Sequence, residues 1–482
     1  MSSEGFPQII IDQRPLWIVI LDRTRRAILL FLFFSLFAFL LSLEGPSDLS
    51  LEGYRTLCLF GLSVCLWSTN LIPLSITSLL VIGGVPMLGI METGQAYSYF
   101  GNKAVFFILG TFILSAAMIA SGLSSRLSMW FLAKWGENPP RLVSGVFFFS
   151  AISSCFMSEH AVAAMLFPLV MELVSILKLE SGKSQLGKSL FFALGWGCII
   201  GGSLTAMGGG RVPLAVEMLE KTTHGLHTIG FVQYTTLSFP LVILLLATGW
   251  LTLTYLFTPE QADTKPVCKV LRKRYEELGG LNFREKGVSV VMIITVCSWF
   301  IYGDDVGIAN IAIFATVVLF TLNLINWKMV EDHVNWAIIL MYGGAICLGE
   351  VMAKTGAALW LAQRSFEGVV ESSGVFLVVL ALLSTVFTTF MSNSAVIAVL
   401  LPPAISLCDG YGISPALATM AIVIPSNFAF ILPIATPASA LAYSSKFIPL
   451  KDMMKSGLLL SFMGMLAFYF LLLAYWPLLG FQ

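Results

Sequence analysis

A glutamate and a histidine stand side by side in FMSEHAVAAMLFP, residues 156–168, inside a long apolar stretch. A charge at bilayer depth costs about 2.5–3.5 kcal/mol even on the lenient insertion scale, so Glu159 needs a partner or a task. A second polar interruption, Ser392-Asn393-Ser394, breaks the apolar run FMSNSAVIAVLLP at 390–402. Each is followed by a segment able to break a membrane helix. GWGCIIGGSLTAMGGGRVP, 195–213, holds seven glycines, and IPSNFAFILPIATPASALAYSS, 424–445, holds Pro425, Pro433 and Pro437. Such breaks free backbone carbonyls and expose helix dipoles. Hydroxyls, an amide and freed carbonyls suit a hard alkali cation, and helix N-termini suit an anion. For 195–213 the alternative is close helix packing and nothing more.

The elements that carry these residues are membrane helices. Of 482 residues, 57% are hydrophobic and only 11% charged, about half the charged share of a soluble domain. Apolar runs long enough to cross about 30 Å of hydrocarbon recur at 27–43, 104–120, 237–257, 308–324 and 457–473. The fold class is therefore all-α and polytopic. Net charge is zero, from 27 basic and 27 acidic residues, which points away from a nucleic-acid partner. Seven of the eight cysteines lie in or beside apolar segments, with no disulfide or zinc spacing. Residues 1–26 are mixed in charge and lack a signal-peptide pattern. They carry Arg14, Arg23, Arg25 and Arg26, and the longest polar loop, 259–287, carries seven basic residues. By the positive-inside rule both are cytoplasmic. The C-terminus lies outside for an odd number of spans.

The chain repeats itself. FMSEHAVAAMLFPLVMEL (156–173) aligns with FMSNSAVIAVLLPPAISL (390–407), placing Ser158 on Ser392. In the same register Gly110, Met118 and Gly122 fall on Gly344, Met352 and Gly356. Two segments in one register argue for an internal duplication. If each half makes an odd number of crossings, the repeats are inverted, as in many secondary transporters. Each polar interruption leaves flanks of roughly 14 helical residues, about 21 Å, short of a full crossing. Both segments then read as re-entrant hairpins with polar tips near the midplane, where irregular backbone survives only beside protein or water. The alternative is one long span with back-bonded serines.

At these residues the chain resembles the divalent-anion/sodium symporter family, carriers of dicarboxylates, citrate or sulfate. That family's marks are two Ser-Asn-Thr hairpin tips, each paired with a broken helix. Ser392-Asn393-Ser394 and Ala435-Thr436-Pro437 match the second set. Ser158-Glu159-His160 and Gly208-Gly209-Gly210-Arg211 occupy the first set and depart from it. Trp67-Ser-Thr-Asn-Leu-Ile-Pro73 resembles a further motif, with Asn70 in place of a glutamate.

The resemblance implies eleven spans plus two hairpins, in a homodimer in the plasma (inner) membrane. Scaffold helices would fill 27–135 and 288–365. An elevator-like transport domain would fill 140–258 and 370–482, with 259–287 connecting the halves. Sodium would be the coupling ion, with no other cofactor. One sodium site would use Thr388, Asn393 and the carbonyls of Met391 and Ala435. A first would use Ser154, Ser158 and a carbonyl at Gly202. The small anion would meet Ser158, Glu159, His160, Arg211, Ser392, Asn393, Ser394, Thr436 and Pro437.

Glu159 then has three competing roles: extra charge for a sodium site, a proton-coupling carboxylate, or a partner for Arg211. Arg211 is the one basic residue between Gly195 and Met218. The pairing is favoured, because a guanidinium there could stand in for one coupling sodium. His160 either contacts the anion or holds the hairpin tip. Glu350 and Lys354 form a structural pair. Asp304, Asp305, Asp332, His333, His224 and His227 sit at the surface, and Trp299 and Trp476 anchor at the membrane interface.

Other functions fit less well. Glu180-Ser-Gly-Lys-Ser184 resembles a phosphate loop but has Leu177 where that motif needs glycine, and no HExxH occurs. A passive channel, an uncoupled anion exchanger, and carriers of arsenite or of cations against protons remain as alternatives.

Overall fold

The computed structural model describes residues 16–257, 260, 262–366 and 372–481, and Arg14, Pro259 and Gln482 lie outside them. The first half contains α1 (Leu16–Ser42), α2 (Leu51–Thr69), α3 (Leu74–Met87), α4 (Thr93–Ser98), α5 (Lys103–Ala120) and α6 (Leu123–Trp135). It continues through α7 (Pro139–Phe156), α8 (Glu159–Ile176), α9 (Gln185–Gly201), α10 (Arg211–Thr222) and α11 (Phe231–Leu251). The connecting helix is α12 (Lys265–Glu277). The second half has α13 (Phe283–Tyr302), α14 (Ile308–Thr321), α15 (Trp327–His333), α16 (Trp336–Lys354) and α17 (Ala357–Phe366). Last come α18 (Ser373–Phe390), α19 (Asn393–Tyr411), α20 (Pro415–Val423), α21 (Pro437–Ser444), α22 (Leu450–Phe470) and α23 (Trp476–Leu478).

The register that places Ser158 on Ser392 also places both ends of α7 on those of α18, and both ends of α3 on those of α14. Left-handed residues coincide as well. Gly89 (φ 65°) falls on Asn323 (φ 54°), and Gly122 (φ 85°) on Gly356 (φ 72°). Side-chain chemistry differs between the halves while backbone punctuation agrees.

Among the described residues, nine segments are long and apolar enough to cross a membrane. Their outward faces are apolar, with Phe31, Ile293, Phe314 and Phe462 all more than half exposed, as a lipid solvent requires.

The two polar interruptions form hairpins. Met157 and Met391 are extended, with φ near −135° in both. Ser158 and Ser392 then cap the next helix by accepting from the N–H groups of Ala161 (3.2 Å) and Ala395 (3.3 Å). The arms return to their starting side. At the open end of the first hairpin, Gly136 lies against Cys268 of α12, and Glu172 of α8 pairs with Arg274 of α12 at 2.5 Å. At the second, Phe376 stacks on Tyr411, with ring centroids 4.7 Å apart. The arms run 18 or 19 residues, longer than expected; Asn138 and Ser372 start α7 and α18 three or four residues ahead of the apolar stretch.

Close packing and helix breaking both account for the glycine run. Helix α9 lies directly on α7, and a methyl group at Gly201 would stand 2.0 Å from the Ala151 carbonyl oxygen. The helix then ends, and 202–210 is irregular up to α10. Gly201→Ala is expected to destabilise the protein by about 1–3 kcal/mol through overpacking, read as a lower melting temperature in detergent.

Two expectations need correction. The polar loop 259–287 contains an amphipathic helix, α12, which buries Val267 and Leu271. Trp299 and Trp476 are not interfacial anchors. Both are 0% exposed, and their indole N–H groups donate to the carbonyls of Ile308 (2.9 Å) and Leu237 (3.2 Å). The expected pair of Glu350 and Lys354 is present at 3.9 Å, and Lys354 also donates to the Tyr99 hydroxyl at 2.6 Å.

A guanidinium fastens the connection between the halves. Arg126, 5% exposed on α6, donates to Glu285 at 2.8 Å and to the Gly279 carbonyl at 2.7 Å. Removing one partner of a buried pair costs about 3–5 kcal/mol. Arg126→Ala should therefore melt well below the wild type and expose the α12–α13 junction to protease.

Candidate functional site

The two hairpin tips and the two broken helices meet at one cavity of about 290 Å³. Its wall includes Ser158, Glu159, His160, Arg211, Ser392, Asn393, Ser394, Thr436 and Pro437, so every residue expected at an anion is brought together. Four helices begin here, α8 at Glu159, α10 at Arg211, α19 at Asn393 and α21 at Pro437. Each N-terminus favours an anion by about 0.3–1 kcal/mol when exposed and up to about 2 when partly buried, so four together are worth several kcal/mol. Ser158, Ser392 and Thr436 use a lone pair to cap their helices, which leaves each hydroxyl proton free to donate.

At the first tip, Glu159 is 1% exposed and its N–H donates to the Gly208 carbonyl at 2.8 Å. Its carboxylate lies 3.2 Å from Arg211 Nη1 and 3.6 Å from His160 Nδ1. Arg211, 3% exposed, also donates through Nη2 to the Gly202 carbonyl at 3.3 Å. That carbonyl is the one the resemblance gives to a first sodium. Ser154, expected beside it, is buried with a hydroxyl that makes no hydrogen bond. The guanidinium thus reaches the oxygen that the resemblance assigns to a cation.

The second tip is built differently on the same backbone. Thr388 and Asn393 occupy the positions of Ser154 and Glu159 in the repeat. The Thr388 hydroxyl stands 2.7 Å from Asn393 Oδ1 and 2.8 Å from the Ser426 carbonyl oxygen. One proton cannot fully serve two acceptors, so three oxygens converge in the manner a hard cation satisfies. Met391 and Ala435 are buried nearby, 6% and 2% exposed, and Ala435 also lines the cavity. The Ser426 carbonyl was not anticipated, although Pro425 marks the helix break that frees it.

Several buried polar atoms around the cavity make no hydrogen bond: both Glu159 oxygens, His160 Nδ1, Arg211 Nε, Asn393 Nδ2 and the Tyr342 hydroxyl. Native interiors leave few such groups, and a cluster of them at one cavity points to a polar ligand. Tyr342, Phe112 and Asn335 also line the cavity and carry no sequence motif. Asn70, in the left-handed conformation at φ 51°, lines the same cavity, and its motif did single it out.

A second cavity of about 550 Å³ shares Ser158, His160 and Pro437 with the first. It extends along Ser115 and Ile119 of α5 to His333 and Ser444. His333, exposed as expected, therefore stands on a path to the site.

Residues 24–482 match the family model for the sodium:sulfate symporter transmembrane region. The sodium-dependent dicarboxylate transporter SdcS of Staphylococcus aureus (strain bovine RF122 / ET3-1) is 26% identical over 450 residues, covering 88% of this chain and 86% of that one. SdcS of Staphylococcus saprophyticus is 26% identical over the same shares. Among solved structures, the Alcanivorax borkumensis YdaH transporter matches with a TM-score of 0.55 at 16% identity, over 80% of this chain and 87% of that one. Neisseria gonorrhoeae MtrF, from a class of antimetabolite efflux pumps, matches at 0.55 and 14%, over 78% and 82%. These two likenesses bear on the fold alone. With its apolar spans and its match from residue 24 onward, the chain is an integral membrane transport protein and belongs to the sodium:sulfate symporter family.

Proposed function

We propose that this protein is a sodium-coupled carrier of a small anion, a dicarboxylate or sulfate, working by an elevator movement. The observation that carries the reading is the cavity where four helix N-termini and unpartnered donors converge beside an oxygen cluster at Thr388, Asn393 and Ser426. The sodium:sulfate family and the dicarboxylate-carrying relatives support the cargo class. Sodium belongs at the second tip, with Met391 and Ala435 as further carbonyl donors. At the first tip Arg211 takes the place of a cation and Glu159 balances it.

The transport domain is 140–258 with 370–482, and the scaffold is 27–135 with 288–365. An inverted relation of the halves fits the contacts of α5 and α16. Tyr99, just before α5, meets Lys354 at the end of α16. The end of α5 and the start of α16 share the second cavity, through Ile119 and Asn335. That cavity supports a conformation open toward one face, the cytoplasmic face on the orientation read from the basic residues. Eleven spans, a homodimer, a plasma (inner) membrane location, a cytoplasmic N-terminus and an outer C-terminus complete the proposal.

The test is uptake of labelled succinate, citrate, sulfate and arsenite into proteoliposomes, with and without a sodium gradient. Saturable, sodium-driven uptake of a dianion is expected. Uptake of arsenite alone, or flux without counterflow, would contradict it. The fixed charge of Arg211 favours one second reading, an exchanger that needs no sodium. Exchange of equal rate in sodium-free buffer would establish that reading instead.

A further inference from the structure

We propose that Tyr342 is a ligand of the transported anion carried by the scaffold, so that the protein binds its cargo unequally from the two sides of the membrane. The inference rests on the carrier reading above. Tyr342 lies in α16 and is 0% exposed, and its hydroxyl has only the Ser394 side chain in range, in a geometry that falls short of a full hydrogen bond. A buried donor is costly to leave unpaired, and native chains seldom do so away from a binding site. This one lines the cavity together with Arg211 and Ser394.

The hydroxyl arrives directly over the start of α10. A methyl group at Gly210 would stand 2.0 Å from it, so no side chain fits at position 210 while Tyr342 is there. The other donors proposed for the anion ride on the hairpin tips and broken helices, the elements that move in an elevator. Tyr342 belongs to the wall they slide along. When α10 moves past α16, Gly210 and both tips must leave the phenol behind. The hydroxyl then completes the anion's coordination in the conformation described here, with the second cavity leading from the site to His333 and Ser444. It is lost from the coordination at the other end of the stroke. The cargo is held more tightly on the side of that cavity, and its release there is slowed.

Tyr342→Phe removes the hydroxyl and keeps the shape. The full-length protein is placed in proteoliposomes in one orientation, with labelled succinate and sulfate as probes and sodium on both sides. KM is expected to rise roughly tenfold at the face reached by the second cavity, the loss of one hydrogen bond to a charged acceptor. KM at the opposite face and the maximal exchange rate are expected to stay within about twofold of wild type. An equal change at both faces, or none, overturns the proposal, because a phenol that only braces Ser394 has no reason to act on one side. The rise in melting temperature with each probe is measured in parallel on purified protein. If the wild type is stabilised by an anion but moves none, the carrier reading fails. In that case an unchanged shift in Tyr342→Phe overturns the ligand role separately, and a lost shift upholds it.

Discussion

Arg211→Ala is expected to lower uptake about a hundredfold and to depress the melting temperature of the purified protein. Removing one partner of a buried ion pair costs about 3–5 kcal/mol, because the other charge is left without compensation. Here that charge is Glu159, 1% exposed, with its nearest basic atom, Arg211 Nη1, at 3.2 Å. His160 is the other group in reach, at 3.6 Å. The double variant Glu159→Asn with Arg211→Ala removes both charges and gives the first tip the asparagine that Asn393 supplies at the second. It is expected to recover most of the lost melting temperature. Its uptake should depend more steeply on sodium than the wild type, because the Gly202 carbonyl and Ser154 hydroxyl are then free for a cation. Sodium titration of uptake beside thermal unfolding in detergent checks both halves. A double variant no more stable than Arg211→Ala would show that the two charges do not offset one another.

The second large effect is expected at Thr388. Thr388→Val keeps the branched shape and deletes the hydroxyl that lies 2.7 Å from Asn393 Oδ1 and 2.8 Å from the Ser426 carbonyl. Hard cations need oxygen ligands at close range, and losing one from a small set weakens binding sharply. The sodium concentration for half-maximal uptake should rise tenfold or more, with lithium no better as a substitute. The change keeps the shape of a 0% exposed side chain but leaves Asn393 Oδ1 and the Ser426 carbonyl without their donor, so a stability loss of about 1–3 kcal/mol is expected with the fold retained. The melting temperature without sodium then separates a lost ligand from a damaged protein. Unaltered sodium activation in a well-folded variant would remove this oxygen cluster from the coupling site.

The sequence told most about the parts that repeat. Matching Ser158 to Ser392 located both hairpin tips, and the glycine and proline runs located both helix breaks. Each break has a local cause that a sequence displays. The residues around Arg211 were legible for another reason, since an arginine and a glutamate in apolar surroundings must compensate each other. What stayed hidden depends on helix rotation. Tyr342 lies in the apolar helix α16, which is buried through most of its length, and nothing in its neighbours tells a core tyrosine from one that faces a cavity. Trp299 and Trp476 misled because a tryptophan near a span end suits both the interface and the core. Their indole N–H groups found buried carbonyls instead. The helix α12 was missed because its charged residues dominate the composition while only Val267 and Leu271 mark its buried face.

We propose that Arg211, bound to Glu159 and the Gly202 carbonyl, replaces one of two cations at the paired tips. Counting sodium ions tests it most directly, by measuring the reversal potential of labelled succinate or sulfate flux in proteoliposomes at several sodium gradients. A single sodium carried at the tips is expected in the wild type, and one more in Glu159→Asn with Arg211→Ala. A wild type that already carries a sodium for each tip, with no gain in the double variant, would contradict it.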